Sequence, residues 1–161
     1  MLQSLRLANV MQAVVTTGSN RLVLRSSLEE LERLATWVET LNPDAGLNSD
    51  QALALQLCLE EAVANIVMYG GAADDAAIVI QIAQSDGALI AIIEDSARPF
   101  DPTQVPPRAK PVSLDEARIG ELGVHLIRHY SSQMHYERRD DRNRLTLTFA
   151  RSNAPPKDAK R

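Results

Sequence analysis

Glu61 and Asn65 stand one helical turn apart in the run LEEAVANIVMYG, so both project from one face of an otherwise apolar helix. A carboxylate and an amide set among Leu55, Leu57, Cys58, Leu59, Ala62, Val63, Ile66 and Val67 need polar partners or a wet cavity. The chemistry that suits them is phosphoryl transfer. The carboxylate orients or deprotonates a nucleophile, and the amide oxygen ligates Mg²⁺ on a triphosphate. A plainer reading puts both on a narrow solvent stripe with Glu60, and spacing alone leaves the two open.

Two further segments carry unusual polarity. The apolar run Ala88 to Glu94 leads to Asp95, where an ionised carboxylate at a strand end can accept a hydrogen bond from an exocyclic amine such as adenine's. Pro99, Phe100, Asp101 and Pro102 then turn the chain, with Phe100 as an apolar plug, although Asp95 and Asp101 also suit a simple turn. Gly120 and Gly123 bracket a helix entry, where close backbone approach and free amides favour phosphate oxygens. Each motif alone is weak; their order is the stronger signal.

The elements that must position these groups follow from periodicity. Arg21 to Arg25 alternates as a strand. Ser26 or Ser27 caps a helix with Glu29 and Glu30 at its amino end and an apolar stripe of Leu28, Leu31, Leu34, Ala35, Val38 and Leu41. Asn42, Pro43 and Gly46 end it, and a second, central helix runs from about Asp50 to Tyr69, stopped by Gly70-Gly71. Ala77 to Gln84 and Ala88 to Glu94 form a hairpin around Ser85-Asp86-Gly87. A proline-rich loop separates them from a helix over Leu122 to Tyr130. A second hairpin pairs Gln133 to Arg138 with Arg144 to Phe149 around Asp140-Asp141-Arg142-Asn143. The expected class is α+β, a mostly antiparallel sheet with two or three helices on one face.

Composition excludes several classes. The chain has 161 residues, 45% of them hydrophobic, which suits one domain with one core. Its net charge of −4 and the acids interleaved with Arg138, Arg139, Arg142 and Arg144 disfavour a nucleic-acid binder. Cys58 is the single cysteine, so neither an intrachain disulfide nor a cysteine zinc site is available, which fits a reducing cytoplasm. Residues 1–19 are expected to be an extension too short and polar to span a membrane, residues 20–151 the domain, and residues 152–161 a disordered tail. His125, His129 and His135 lack the spacing of a metal site, and Cys58 and Trp37 are expected in or beside the core.

The segments LEEAVANIVMYG, IIEDSARPFDP and ELGVHLIRHYSSQMHYERRDDRNRLTLTF resemble the N, G1 and G2 boxes of the GHKL ATPases, in particular the stand-alone anti-sigma-factor serine/threonine kinases. The resemblance covers about Arg21 to Arg151. It implies a Bergerat-type two-layer α/β sandwich that binds ATP and Mg²⁺, with Glu61 as catalytic carboxylate, Asn65 as metal ligand and Asp95 as adenine anchor. Ala97, Phe100, Gly120, Leu122 and Gly123 are the other box positions expected to meet nucleotide, and Thr146 is expected near Asp95 beneath the adenine. The partners implied are a sigma factor and a STAS-type anti-anti-sigma protein in a bacterial cytoplasm, and a homodimer is compatible with it. Two positions depart from the pattern. Ala97 replaces the glycine of Asp-x-Gly, where a Cβ could crowd the base or bar a positive φ, and Glu121 brings a carboxylate toward the phosphates. Both motivate an alternative, a module that keeps the fold and binds a partner with weak or no ATP turnover.

Overall fold

The computed structural model describes residues 20–41, 47–85, 88–107 and 121–150. In chain order these form β1 (Arg21–Arg25), α1 (Glu30–Leu41), α2 (Ser49–Tyr69), β2 (Ala77–Ser85), β3 (Ala88–Asp95), a 3₁₀ turn (Pro102–Gln104), α3 (Glu121–Tyr130), β4 (Gln133–Arg139) and β5 (Arg142–Phe149). The strands make one five-stranded sheet in the order β1-β2-β3-β5-β4, every neighbouring pair antiparallel. This is an α+β, Bergerat-type sandwich. The expected features at Asn42, Pro43 and Gly46, at Asp86-Gly87 and at Gly120, with the extension 1–19 and the tail 152–161, lie outside the described residues.

Strand alternation decides which side chains meet the helices. Leu22 and Leu24, Ile78, Ile80 and Ile82, Leu89, Ala91 and Ile93, and Leu147 and Phe149 all join Leu34, Val38, Leu55, Leu59 and Val63 in one core. The intervening residues Ala83, Ile90 and Ile92 form a separate buried cluster on the opposite face. By length and composition α2 could cross a bilayer. Its Leu55, Cys58, Leu59 and Val63 instead sit fully buried at the centre of this core.

Capping fixes where α2 begins. Asn48 Oδ1 accepts from the Gln51 amide at 2.8 Å, and Gln51 Oε1 accepts from the Asn48 amide at 3.3 Å. That reciprocal box contributes about 1 kcal/mol. α1 starts later than its serines suggest. Its first residue, Glu30, is 7% exposed and pairs with Arg25 and Arg33 at 3.0 Å, which ties the helix to β1. Leu28 consequently falls in the preceding turn and is exposed, not part of the apolar stripe.

The last hairpin turns more tightly than expected. Asp140 and Asp141 both take positive φ, 50° and 57°, and Arg139 pairs directly with Arg142. Aspartate tolerates this left-handed region, so two residues suffice for the turn. Asn143 is thereby a strand residue, in register with Asp95.

Candidate functional site

A cavity of about 380 Å³ opens between the carboxyl half of α2, the middle of α3, the end of β3 and the start of β5. That lies within the usual size range of small-molecule sites. Ala62, Asn65, Ile66 and Tyr69 line it from α2, Val124 and Ile127 from α3, and Tyr136, Asn143 and Leu145 from the sheet. Asp95 closes its floor, and Ala97 to Phe100 with Pro102 and Val105 form the remaining wall. The walls are mostly apolar with few polar groups, as suits a flat heterocycle.

Asp95 is 4% exposed at the end of β3. Its Oδ1 accepts from the Ala97 amide and from Asn143 Nδ2, each at 2.8 Å. Asp101 is the turn former of the segment, its Oδ1 accepting from the amide and hydroxyl of Thr103. Phe100 is no plug: it stands at the mouth of the cavity with half its surface in solvent.

Ala97 does not take a positive φ, and its methyl group packs over Gly70. A Cβ built on Gly70 would lie 2.6 Å from that methyl and 2.4 Å from the Ile66 carbonyl oxygen. The Arg98 amide also donates to the Gly70 carbonyl at 2.9 Å. The alanine therefore fits because residue 70 has no side chain. Gly70→Ala is expected to lower thermal stability by about 1–3 kcal/mol, the usual cost of overpacking against groups that cannot move. Ala97→Gly should leave nucleotide affinity within roughly threefold, since the methyl packs over Gly70 and, being 4% exposed, gives the cavity wall little surface. Calorimetry on both variants checks this, and a large affinity gain in Ala97→Gly would restore the view that its methyl blocks the base.

Glu61 and Asn65 meet at α3. A Cβ on Gly123, in the first turn of that helix, would lie 2.3 Å from Glu61 Oε2 and 3.3 Å from Asn65 Nδ2. Gly123 is needed for this close approach. Glu61 borders the Asn65 end of the site and does not line the cavity itself. Burial, with a smaller push from the Glu60 charge, raises its carboxyl above the usual carboxylate value.

Thr146 is a correction. It pairs with Ile92, whose side chain points to the face away from Asp95, and it does not line the cavity. The position beside Asp95 belongs to Asn143, because the two-residue turn moved it into the strand. Leu122 is exposed and likewise does not line the cavity. Gly120 lies outside the described residues, and the structure describes the backbone of Glu121 alone. Sequence reasoning missed Tyr69, Arg98, Tyr136 and Asn143. The signal available was the polar residue in each alternation, Tyr136 and Asn143, on the core-facing parity of β4 and β5.

Arg128, also unforeseen, reaches from α3 to hold the 3₁₀ turn. Its Nη2 donates to the carbonyls of Pro102 at 3.3 Å and Val105 at 2.8 Å. Cys58 is fully buried, and desolvation pushes its thiol up to about 12, so it is a core residue and no nucleophile at neutral pH. Among the described residues no three of His, Cys, Asp and Glu come together. Asn65 fits a different kind of Mg²⁺ site, in which one side-chain oxygen joins phosphate oxygens and water.

Comparison with known proteins decides the family. The family described as Histidine kinase-like ATPase domain matches residues 24–149. The chain belongs to that family. The serine/threonine-protein kinase BtrW of Bordetella bronchiseptica is 36% identical over 115 residues, covering 70% of this chain and 80% of that protein. Kinship of this kind places the chain among the histidine kinase-like ATPases beside a protein named as a serine/threonine kinase. Among solved structures, the RsbU and RsbW domains of Rv1364c from Mycobacterium tuberculosis superpose with a TM-score of 0.58 at 16% identity. The match covers 81% of this chain and about a third of that one, 32%, and is a likeness of fold.

Proposed function

We propose that this histidine kinase-like ATPase domain is an ATP-dependent serine/threonine protein kinase of the anti-sigma type. The observation that carries the reading is convergence. Asn65 and Asp95, distant in sequence, line one cavity, and Glu61 meets Asn65 against Gly123 at the start of α3. Adenine fits the apolar walls with its exocyclic amine toward Asp95, and the phosphates extend toward Asn65 and the first turn of α3.

Asn65 would hold Mg²⁺, which supplies neutralisation of phosphate charge when bound. Glu61 would take the proton of the partner's hydroxyl as that oxygen bonds to the γ-phosphorus, while the bond from phosphorus to the β,γ-bridging oxygen breaks and ADP leaves. The hydroxyl belongs to another protein, in this reading a STAS-type anti-anti-sigma factor, and the unphosphorylated partner competes with a sigma factor that the kinase otherwise sequesters. The setting is the bacterial cytoplasm, and dimerisation is compatible with this role.

Mg-ATP titration of the wild type and Asn65→Ala tests the reading. Loss of a metal ligand should weaken Mg-ATP binding at least on the order of 10–100-fold, the range seen when even outer partners of metal ligands are removed. Equal affinity in the two chains sinks the assignment of Asn65. No binding by the wild type moves the reading to a nucleotide-independent sequestering module.

A further inference from the structure

Among the described residues around the cavity Asn143 has the most side-chain hydrogen bonds, and it is 6% exposed. Its Nδ2 donates to Asp95 Oδ1 at 2.8 Å, the Arg98 carbonyl at 3.1 Å and the Ala97 carbonyl at 3.2 Å. Its Oδ1 accepts from Tyr136 Oη and Arg138 Nη1, both at 2.8 Å. Arg138 Nη1 reaches the Ala97 carbonyl as well, at 3.1 Å. The amide cannot be turned over. Guanidinium only donates and backbone carbonyls only accept, so Arg138 and the carbonyls of Ala97 and Arg98 require this one orientation, and the Tyr136 hydroxyl donates to suit it.

The consequence falls on Asp95. Two donors, the Asn143 amide and the Ala97 N–H, occupy Oδ1, and the carboxylate cannot rotate without losing both. One oxygen, Oδ2, is left without a donor from the described residues. Adenine presents a single donor, its 6-amino group, beside the acceptor N1. Guanine's donor edge carries N1–H and the 2-amino group side by side and binds a carboxylate best when both oxygens are free. A carboxylate with one oxygen occupied is matched to the first and mismatched to the second.

We propose that Asn143 is the specificity-determining positioning residue of the nucleotide site, locking Asp95 into a one-acceptor form that favours adenine over guanine. Tyr136 and Arg138 hold Asn143 in turn, so the β4–β5 hairpin sets base choice without touching the base through Arg138. The inference rests on Asp95 being the base anchor. It extends that reading to a residue whose effect is exerted through another side chain.

The test has two arms on the full chain. In the first, without nucleotide, hydrogen exchange is followed by NMR in wild type and Asn143→Ala. The Ala97 and Arg98 amides should exchange at least about tenfold faster in the variant, while those of Leu59 and Val63 in α2 stay protected. In the second, Mg-ATP and Mg-GTP affinities are compared for the wild type, Asn143→Ala and Asn143→Ser. The ATP preference should fall at least about fivefold in Asn143→Ala, and Asn143→Ser, which keeps a donor, should recover part of it. Unchanged exchange at Ala97 and Arg98 overturns the lock. An unchanged ATP/GTP ratio in a chain that binds ATP overturns the specificity role. Faster exchange in a chain that binds neither nucleotide keeps the lock and removes the kinase reading together with base selection.

Discussion

Glu61→Gln is expected to keep Mg-ATP affinity within a few fold and to lower phosphoryl transfer to the partner by roughly 10²–10⁴, the range for loss of a general base. The split follows from the geometry. Glu61 borders Asn65 and Gly123 but does not line the cavity, so the base pocket is intact without its charge. The pH dependence carries the same signature. Burial and the Glu60 charge raise the folded-state value of Glu61, and the base form is the deprotonated one. Transfer should therefore rise with pH along a limb displaced above the ordinary carboxylate range of about 4.3, and that limb should vanish in Glu61→Gln. Linkage has the opposite sense for stability. A carboxyl whose folded value exceeds its unfolded value costs stability as pH rises from the lower of the two to the higher, so Glu61→Gln should be no less stable than the wild type at neutral pH. Single-turnover transfer with a phosphorylatable partner, scanned against pH, settles it; equal turnover by the variant removes Glu61 from the chemistry.

Gly123→Ala is the second large effect and separates placement from packing. A Cβ there would stand 2.3 Å from Glu61 Oε2, the end of a flexible side chain, so the helices need not part for it to fit. The carboxylate must move instead. Stability should change by about 1 kcal/mol or less, since helix propensity gained by alanine offsets part of the crowding. Transfer should fall nearly as far as in Glu61→Gln, because a displacement on the order of 1 Å at a reacting group costs about 10²-fold. The double variant should be little slower than either single one, the behaviour of two changes that remove one function. Thermal melts beside transfer rates check both halves. A Gly123→Ala chain that melts far below the wild type would show that the glycine serves helix packing, and one that transfers normally would show that the position of Glu61 is uncritical.

The changes at Gly70, which caps α2, and at Gly123, in the first turn of α3, show how glycine is used here. At Gly70 the obstacles are a backbone carbonyl and the Ala97 methyl, neither able to swing aside, and at Gly123 the obstacle is a side-chain end. The first substitution is thus expected to act on the fold and the second on the reaction.

The sequence by itself determined the element order, the polar pair on α2, the carboxylate at the end of β3 and the glycine at the entry to α3. Those features rest on local physics: a period of 3.6 or 2, a cap at Asn48, a helix stop at Gly70. The α2 boundaries were legible within a residue because the capping box and the glycine both act inside the segment. The start of α1 was not. Buried Glu30 is held by Arg25 from the neighbouring strand and Arg33 from its own helix, and the strand half of that pairing depends on how α1 docks against β1.

Tertiary structure alone decided which side chains share the cavity. Asn143 faces inward with Leu145 and Leu147 while Thr146 faces away, because a strand's side chains alternate, and the length of the hairpin decides whether residue 143 belongs to the strand at all. Asp140 and Asp141 resolve that choice by taking left-handed backbone, a conformation several residue pairs tolerate and no spacing rule dictates. Ala97 is the same lesson at a contact. Against the family pattern it is a defect, yet its fit depends on Gly70, a residue far away in sequence and in contact only after α2 and the turn beyond β3 have packed. Sequence carries the local preferences, and the pairing of distant residues is fixed only when the sheet register brings them within a few ångströms.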